Sequence, residues 1–148
     1  MTSDTQFCLP ESYSIPVPMP GGTDQPYWDG AANHELCIQK CSACGTFQFP
    51  PDEICSTCLR FDPEWVAVKP TGRIFGWTRV WHAIGGLKEA VPYLVVLVEL
   101  DEAPGIRMLG NVVGDGMQEL RVDQRVEAVF EDHLREEISY TLVQWKAL

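Results

Sequence analysis

Histidine is scarce in this sequence. Only His34, His82 and His133 occur in 148 residues. None of them stands in a nucleophile elbow, a paired metal-binding motif or a phosphate loop. Gly85 to Ala90 (GGLKEA) lacks the Gly-Lys-Ser/Thr ending of a phosphate-cradling loop and is a plain loop. Long apolar runs are also missing. The longest, Val91 to Val98, falls well below the roughly 20 residues a membrane-spanning helix needs, so no membrane segment is expected. Bases are few, with 11 Lys and Arg against 21 Asp and Glu, a formal charge of −10. No base precedes Lys40, so no secretory signal is expected and the chain is placed in the cytoplasm. In that compartment clustered cysteines mean metal more often than disulfide.

The acidity is uneven. Residues 1–39 carry −5, residues 40–88 carry +2 and residues 89–148 carry −7. A surface this acidic repels a phosphate backbone, which argues against general nucleic-acid binding. Only the middle segment would welcome an anion, through Arg73, Arg79 or Lys88.

Along the chain, residues 1–22 hold Pro10, Pro16, Pro18 and Pro20 and end in Gly21-Gly22. Proline fixes φ and removes donors, so an extended arm is expected. Thr23 or Asp24 is placed to cap a short helix running to about Asn33. Glu35 to Lys40 is expected as a strand, and Pro50-Pro51 forbids a helix between the cysteine pairs. Beyond Cys58 the pattern turns β. Arg73 to Ala83 alternates, which would put Phe75, Trp77, Arg79 and Trp81 on one face, with a turn at Gly72 and a bend at Gly76. Tyr93 to Leu100 and Ile106 to Val113 make a hairpin, and Met117 to Gln124 is expected to hold one helical turn. Arg125 to Asp132 and Ile138 to Lys146 alternate again. Five strands with only short helices suit a five-stranded OB-type barrel. The expected division is 1–34 for arm and helix, 35–66 for a zinc ribbon and 67–148 for the barrel.

The chemistry lies in six cysteines, four of them in two C-x-x-C turns, Cys41/Cys44 and Cys55/Cys58, ten residues apart. Each turn points two sulfurs to one side, and two such turns close a tetrahedral shell of four thiolates with no open position for water. The expected occupant is one structural Zn²⁺; an iron–sulfur cluster is the other group four cysteines can hold. A redox C-x-x-C would need a single motif in a βαβ setting. Gly45 follows the first pair, where left-handed backbone is often needed, whereas Leu59 follows the second, so that turn is expected to differ. Cys8 is expected to be a spare thiol, and Cys37 a small buried residue or, less simply, a substitute ligand. The acidic pairs lie in turns or at strand ends, and no catalytic set is visible.

The order PYWDGAANHEL, CIQKCSACGTFQFPPDEICSTC, EW, GRIFGWTRV, PYLVVLVELDE, LGNVVG and VDQRVEAVFED resembles the zinc-ribbon plus OB-fold family once catalogued as domain of unknown function 35. It departs from the pattern at Asn33-His34, where a Gly is common, and at the second knuckle. The resemblance implies a rubredoxin-like zinc ribbon beside the barrel. It also implies a role as non-catalytic companion of thiolase-superfamily enzymes, which make or break C–C bonds in acyl-CoA, with the partner holding the catalytic residues and acyl-CoA held near the interface. Tyr27, Trp28, Trp77, Trp81 and Trp145 are then candidate contact anchors, or else core. A single-strand nucleic-acid binder and a free acyl-CoA carrier are the competing readings.

Overall fold

The computed structural model describes Cys8, Leu9 and residues 16–148. The extended-arm expectation for residues 1–22 therefore falls largely outside the described residues. Helix α1 spans Gln25–Ala32, with Pro26 in its first turn, where a missing N–H costs nothing. Asp24 caps it through its carbonyl, which accepts the Tyr27 and Trp28 N–H groups at 3.1 and 3.3 Å; its carboxylate bonds no helix N–H and instead accepts the indole N–H of Trp28 at 2.9 Å. Asn33 ends the helix, and His34 follows in the left-handed region at φ 59°.

Strand β1 (Leu36–Cys41) is central to a three-stranded antiparallel sheet, flanked by β2 (Phe47–Gln48) and β3 (Pro63–Val68). Neither flanking strand is expected from the sequence. β2 is too short to show a period, and Pro63 at the head of β3 masks its start. Strands β4 (Thr71–Val80), β5 (Tyr93–Leu100), β6 (Arg107–Asn111), β7 (Arg125–Arg135) and β8 (Ile138–Ala147) form the five-stranded sheet in the order β6-β5-β4-β7-β8. The ends approach each other through a parallel bridge between Val112 and Trp145, where the Val113 N–H donates to the Trp145 carbonyl at 2.8 Å. This bridge brings the sheet's two outer strands together at one point, in the manner of a partly open barrel.

One core serves both units. Leu36, Ile38 and Val68 of the ribbon join Ile74, Val96, Val98, Val126 and Trp145 of the barrel in a single buried cluster, with Ala31 of α1. Burying each large aliphatic side chain is worth about 1.5–3 kcal/mol, so the ribbon, too small for a core of its own, borrows the barrel's. Among the described residues no helix is long and apolar enough to cross a membrane.

Two expectations are corrected here. Gly72 is not in a turn. It is buried within β4, where a Cβ would run into the carbonyl of Glu99 on β5. Residues 117–124 hold turns and no helix, while a single 3₁₀ turn forms at Gly85–Leu87 instead.

Candidate metal centre

The first knuckle leaves the end of β1, and the second follows the loop after β2. Both turns are closed by the same bond. The Gly45 N–H donates to the Cys41 carbonyl at 2.8 Å, and the Leu59 N–H donates to the Cys55 carbonyl at 3.0 Å. Gly45 sits at φ 75° and Leu59 at φ 61°. The second turn therefore does not differ, contrary to the expectation. Leu59 is forced into left-handed backbone, at a cost of roughly 1–2 kcal/mol, because the knuckle geometry overrides its preference.

The four sulfurs converge. All ligand atoms of Cys41, Cys44, Cys55 and Cys58 lie within 4.8 Å of one another. Cys41 Sγ is 3.6 Å from Cys58 Sγ, and Cys44 Sγ is 3.6 Å from Cys55 Sγ. A tetrahedron with Zn–S bonds near 2.3 Å has sulfur–sulfur edges of about 3.8 Å, so the cage has the size of a zinc tetrathiolate. The pairing runs between knuckles, which ties the two turns together across the sheet.

Donors around the sulfurs favour thiolates. Thr46 Oγ1 lies 3.2 Å from Cys44 Sγ, and this contact, with the Thr46 backbone, brings the Cys44 thiol down to about 6. Backbone N–H groups of Cys58 and Thr57 lower the Cys55 thiol, the latter at 3.4 Å. At Cys58 the backbone N–H of Arg60 also lowers the thiol, but desolvation and three neighbouring sulfurs outweigh it and push the thiol up to about 12. Four thiolates so close cannot all ionise without a cation among them. The chemistry of the donor set thus fits a divalent metal.

A buried amide supports the loop between the knuckles. Gln39, 3% exposed, mimics a strand by donating to the Asp52 carbonyl at 2.7 Å and accepting the Asp52 N–H at 3.0 Å. No motif marks it in the sequence; a polar residue at an inward β1 position is the only sign. Cys37 is not in the cage. Its sulfur packs on Gly30 of α1, and burial raises its thiol. Cys8 is not in the cage either; its N–H donates to the Glu131 carboxylate on β7.

The candidate aromatic face is divided. A β-bulge between Ile74 and Gly76 shifts the register with β5 and reverses the alternation. Phe75 stays outside, 49% exposed, under the Arg107 guanidinium, while Trp77 turns inward against the core. Arg79 is committed as well. It lies over the Trp77 and Trp81 rings at 5.5 and 5.7 Å, and donates to the carbonyls of Gly116 and Gln118, both at 2.8 Å. Arg73 pairs with Asp123 at 3.4 Å. Of the candidate anchors, Trp145 is fully buried and belongs to the core, and Tyr27 packs against that core, while Trp81 is 52% exposed.

With this geometry in hand, the comparisons are specific. Residues 28–64 match the family model for the ChsH2 rubredoxin-like zinc ribbon domain, and residues 65–131 match that for the ChsH2 C-terminal OB-fold domain. A DUF35 domain-containing scaffold protein of Methanothermobacter thermautotrophicus is 31% identical over 66% of this chain and 72% of its own length. A probable enoyl-CoA hydratase alpha subunit of Thermomonospora curvata is 34% identical over 70% of this chain but only 32% of its own length, so the chain spans about a third of that relative. Among solved structures, a chain of the Ltp2-ChsH2(DUF35) aldolase is 27% identical, with a TM-score of 0.75 over 88% of this chain and 98% of that one. A paired-knuckle ribbon sharing its core with a five-stranded barrel, matched by both domain models in order, makes this chain a member of the DUF35 zinc-ribbon and OB-fold family.

Proposed function

We propose that this chain is a non-catalytic companion subunit. It would hold one structural Zn²⁺ through Cys41, Cys44, Cys55 and Cys58, and serve a thiolase-fold partner that makes or breaks a C–C bond in an acyl-CoA. The observation that carries the reading is the likeness to the chain of the Ltp2-ChsH2(DUF35) aldolase, which extends over 98% of that chain. The hydratase alpha subunit, in contrast, is matched over only 32% of its length, so hydratase activity is not transferred. The zinc supplies rigidity, since four sulfur ligands leave no position for substrate or water. The chain's own residues join the two knuckles to β1 and hold the ribbon on the barrel's core.

The charge of −10 and the division of the Phe75–Trp77–Arg79–Trp81 face both count against single-strand nucleic-acid binding. The engagement of Arg79 and Arg73 counts against a free acyl-CoA carrier. The test is purification of the tagged chain from its host, followed by acyl-CoA turnover assays on the complex and on the chain alone. A co-eluting thiolase-fold protein that carries all the activity is expected. Turnover by the isolated chain would overturn the reading.

A further inference from the structure

We infer that the outer edge of β3 is a docking edge for an extended, basic strand of the partner subunit; this rests on the companion reading above. The sheet order β2-β1-β3 gives β3 a neighbour on one side only, and β1 pairs with all of Pro63–Val68 in unbroken register. Among the described residues no other backbone group bonds to β3. Natural sheets blunt such edges with lysine, bulges or a covering element. β3 has no lysine and no bulge; Pro63 stands only at its first position, and Pro63, Glu64 and Ala67 are exposed. A free row of N–H and C=O groups recognises one thing well, which is another extended chain.

Side chains and charge narrow the occupant. Over the face of the sheet and reaching β3 lies a cavity of about 350 Å³ lined by Pro26, Gln39, Glu53, Phe61, Pro63 and Trp65, with Phe61 itself 67% exposed. This space suits apolar side chains at alternate positions of an incoming strand. Between residues 53 and 68 the exposed acids Glu53, Asp62 and Glu64 outnumber the nearby bases, Arg60 and, opposite Glu64 on β1, Lys40, and none of these acids joins an ion pair among the described residues. A strand carrying Lys or Arg is therefore complementary. A second copy of this chain is not, because β3 against β3 would set Glu64 and its neighbours against their own kind.

The test is amide hydrogen exchange on the peptide covering Pro63–Val68, in the free chain and in the complex with the co-purified thiolase-fold subunit. Exchange at the outward amides should slow at least tenfold in the complex. A Glu53→Lys, Glu64→Gln variant should weaken the complex tenfold or more at low salt, with unchanged zinc content and melting. Glutamine at 64 avoids a new like-charge contact with Lys40 across the strand pair. Glu136→Lys, in the β7–β8 turn, should leave affinity unchanged. A complex that forms with no added protection at β3 overturns this inference alone, as does protection that rises with the concentration of the free chain. Failure to form any complex with a thiolase-fold protein removes the companion reading and the inference with it.

Discussion

His34 Nε2 lies 3.0 and 2.9 Å from the two carboxylate oxygens of Asp132, across 98 residues of sequence. The imidazole also stacks on Phe130, ring centroids 5.3 Å apart and planes within 10°. This contact joins the end of α1 to β7. The side chain thereby offsets part of what the left-handed backbone at His34 costs.

Asp132 gives the contact a pH dependence. Burial raises its carboxyl, but the Thr141 hydroxyl, donating at 2.7 Å, and His34 outweigh burial and hold it below the ordinary value of 3.8. A carboxyl lowered by folding contributes stability above its unfolded value and loses that contribution as pH falls through the folded one. Wild-type stability should therefore decline below about pH 4, and Asp132→Asn should flatten that decline. Both partners are more than half exposed, so the substitution should cost only about 0.2–1 kcal/mol at neutral pH. Urea titrations between pH 3 and 7 measure both effects.

Metal content tests the cage directly. Elemental analysis should find close to one zinc per chain, and Cys44→Ser should lower it together with the melting temperature. Structural zinc sites are worth on the order of 10 kcal/mol, and the ribbon has few other means of holding its loops. A fully folded Cys44→Ser protein that melts like wild type would rule the cage out as a structural element.

Leu59→Gly should be neutral or stabilising by up to about 1 kcal/mol, because relief of the left-handed strain exceeds the added chain entropy. Gly45→Leu should be destabilising by a similar amount, although Lys40 Cε, at 3.8 Å, leaves room for the Cβ itself. The two substitutions test one claim from opposite sides, by thermal melts of the zinc-loaded protein. Equal losses at both sites would contradict it.

Gly110→Ala should be severe. Its Cβ would meet the Trp145 indole at 2.7 and 2.8 Å, inside the core where nothing can give. A loss of about 1–3 kcal/mol is expected from overpacking, read as a fall in the denaturant midpoint.

Arg79→Lys keeps the charge but loses the planar fork that reaches two loop carbonyls and lies over two indoles. A cost of about 1–3 kcal/mol is expected, with a change in tryptophan fluorescence from Trp77 and Trp81. Unchanged emission and stability would show that the 116–118 loop is held by other means.

The sequence alone determined which four sulfurs converge, because two C-x-x-C turns can bring them together whatever surrounds them. It also determined helix α1 and the five barrel strands, whose periods are local and whose breakers stand at their ends. Tertiary structure decided the rest, since those features depend on partners distant in the chain. The bulge at Phe75 exists only relative to the register of β5, so it divided an aromatic face that strict alternation would have kept whole. Trp145 entered the core because Gly110 and the closing bridge from Val112 meet it there, and no property of its own strand distinguishes it from Trp81. Leu59 took a glycine's backbone because closing the sulfur cage requires it, and closure is a property of both knuckles together.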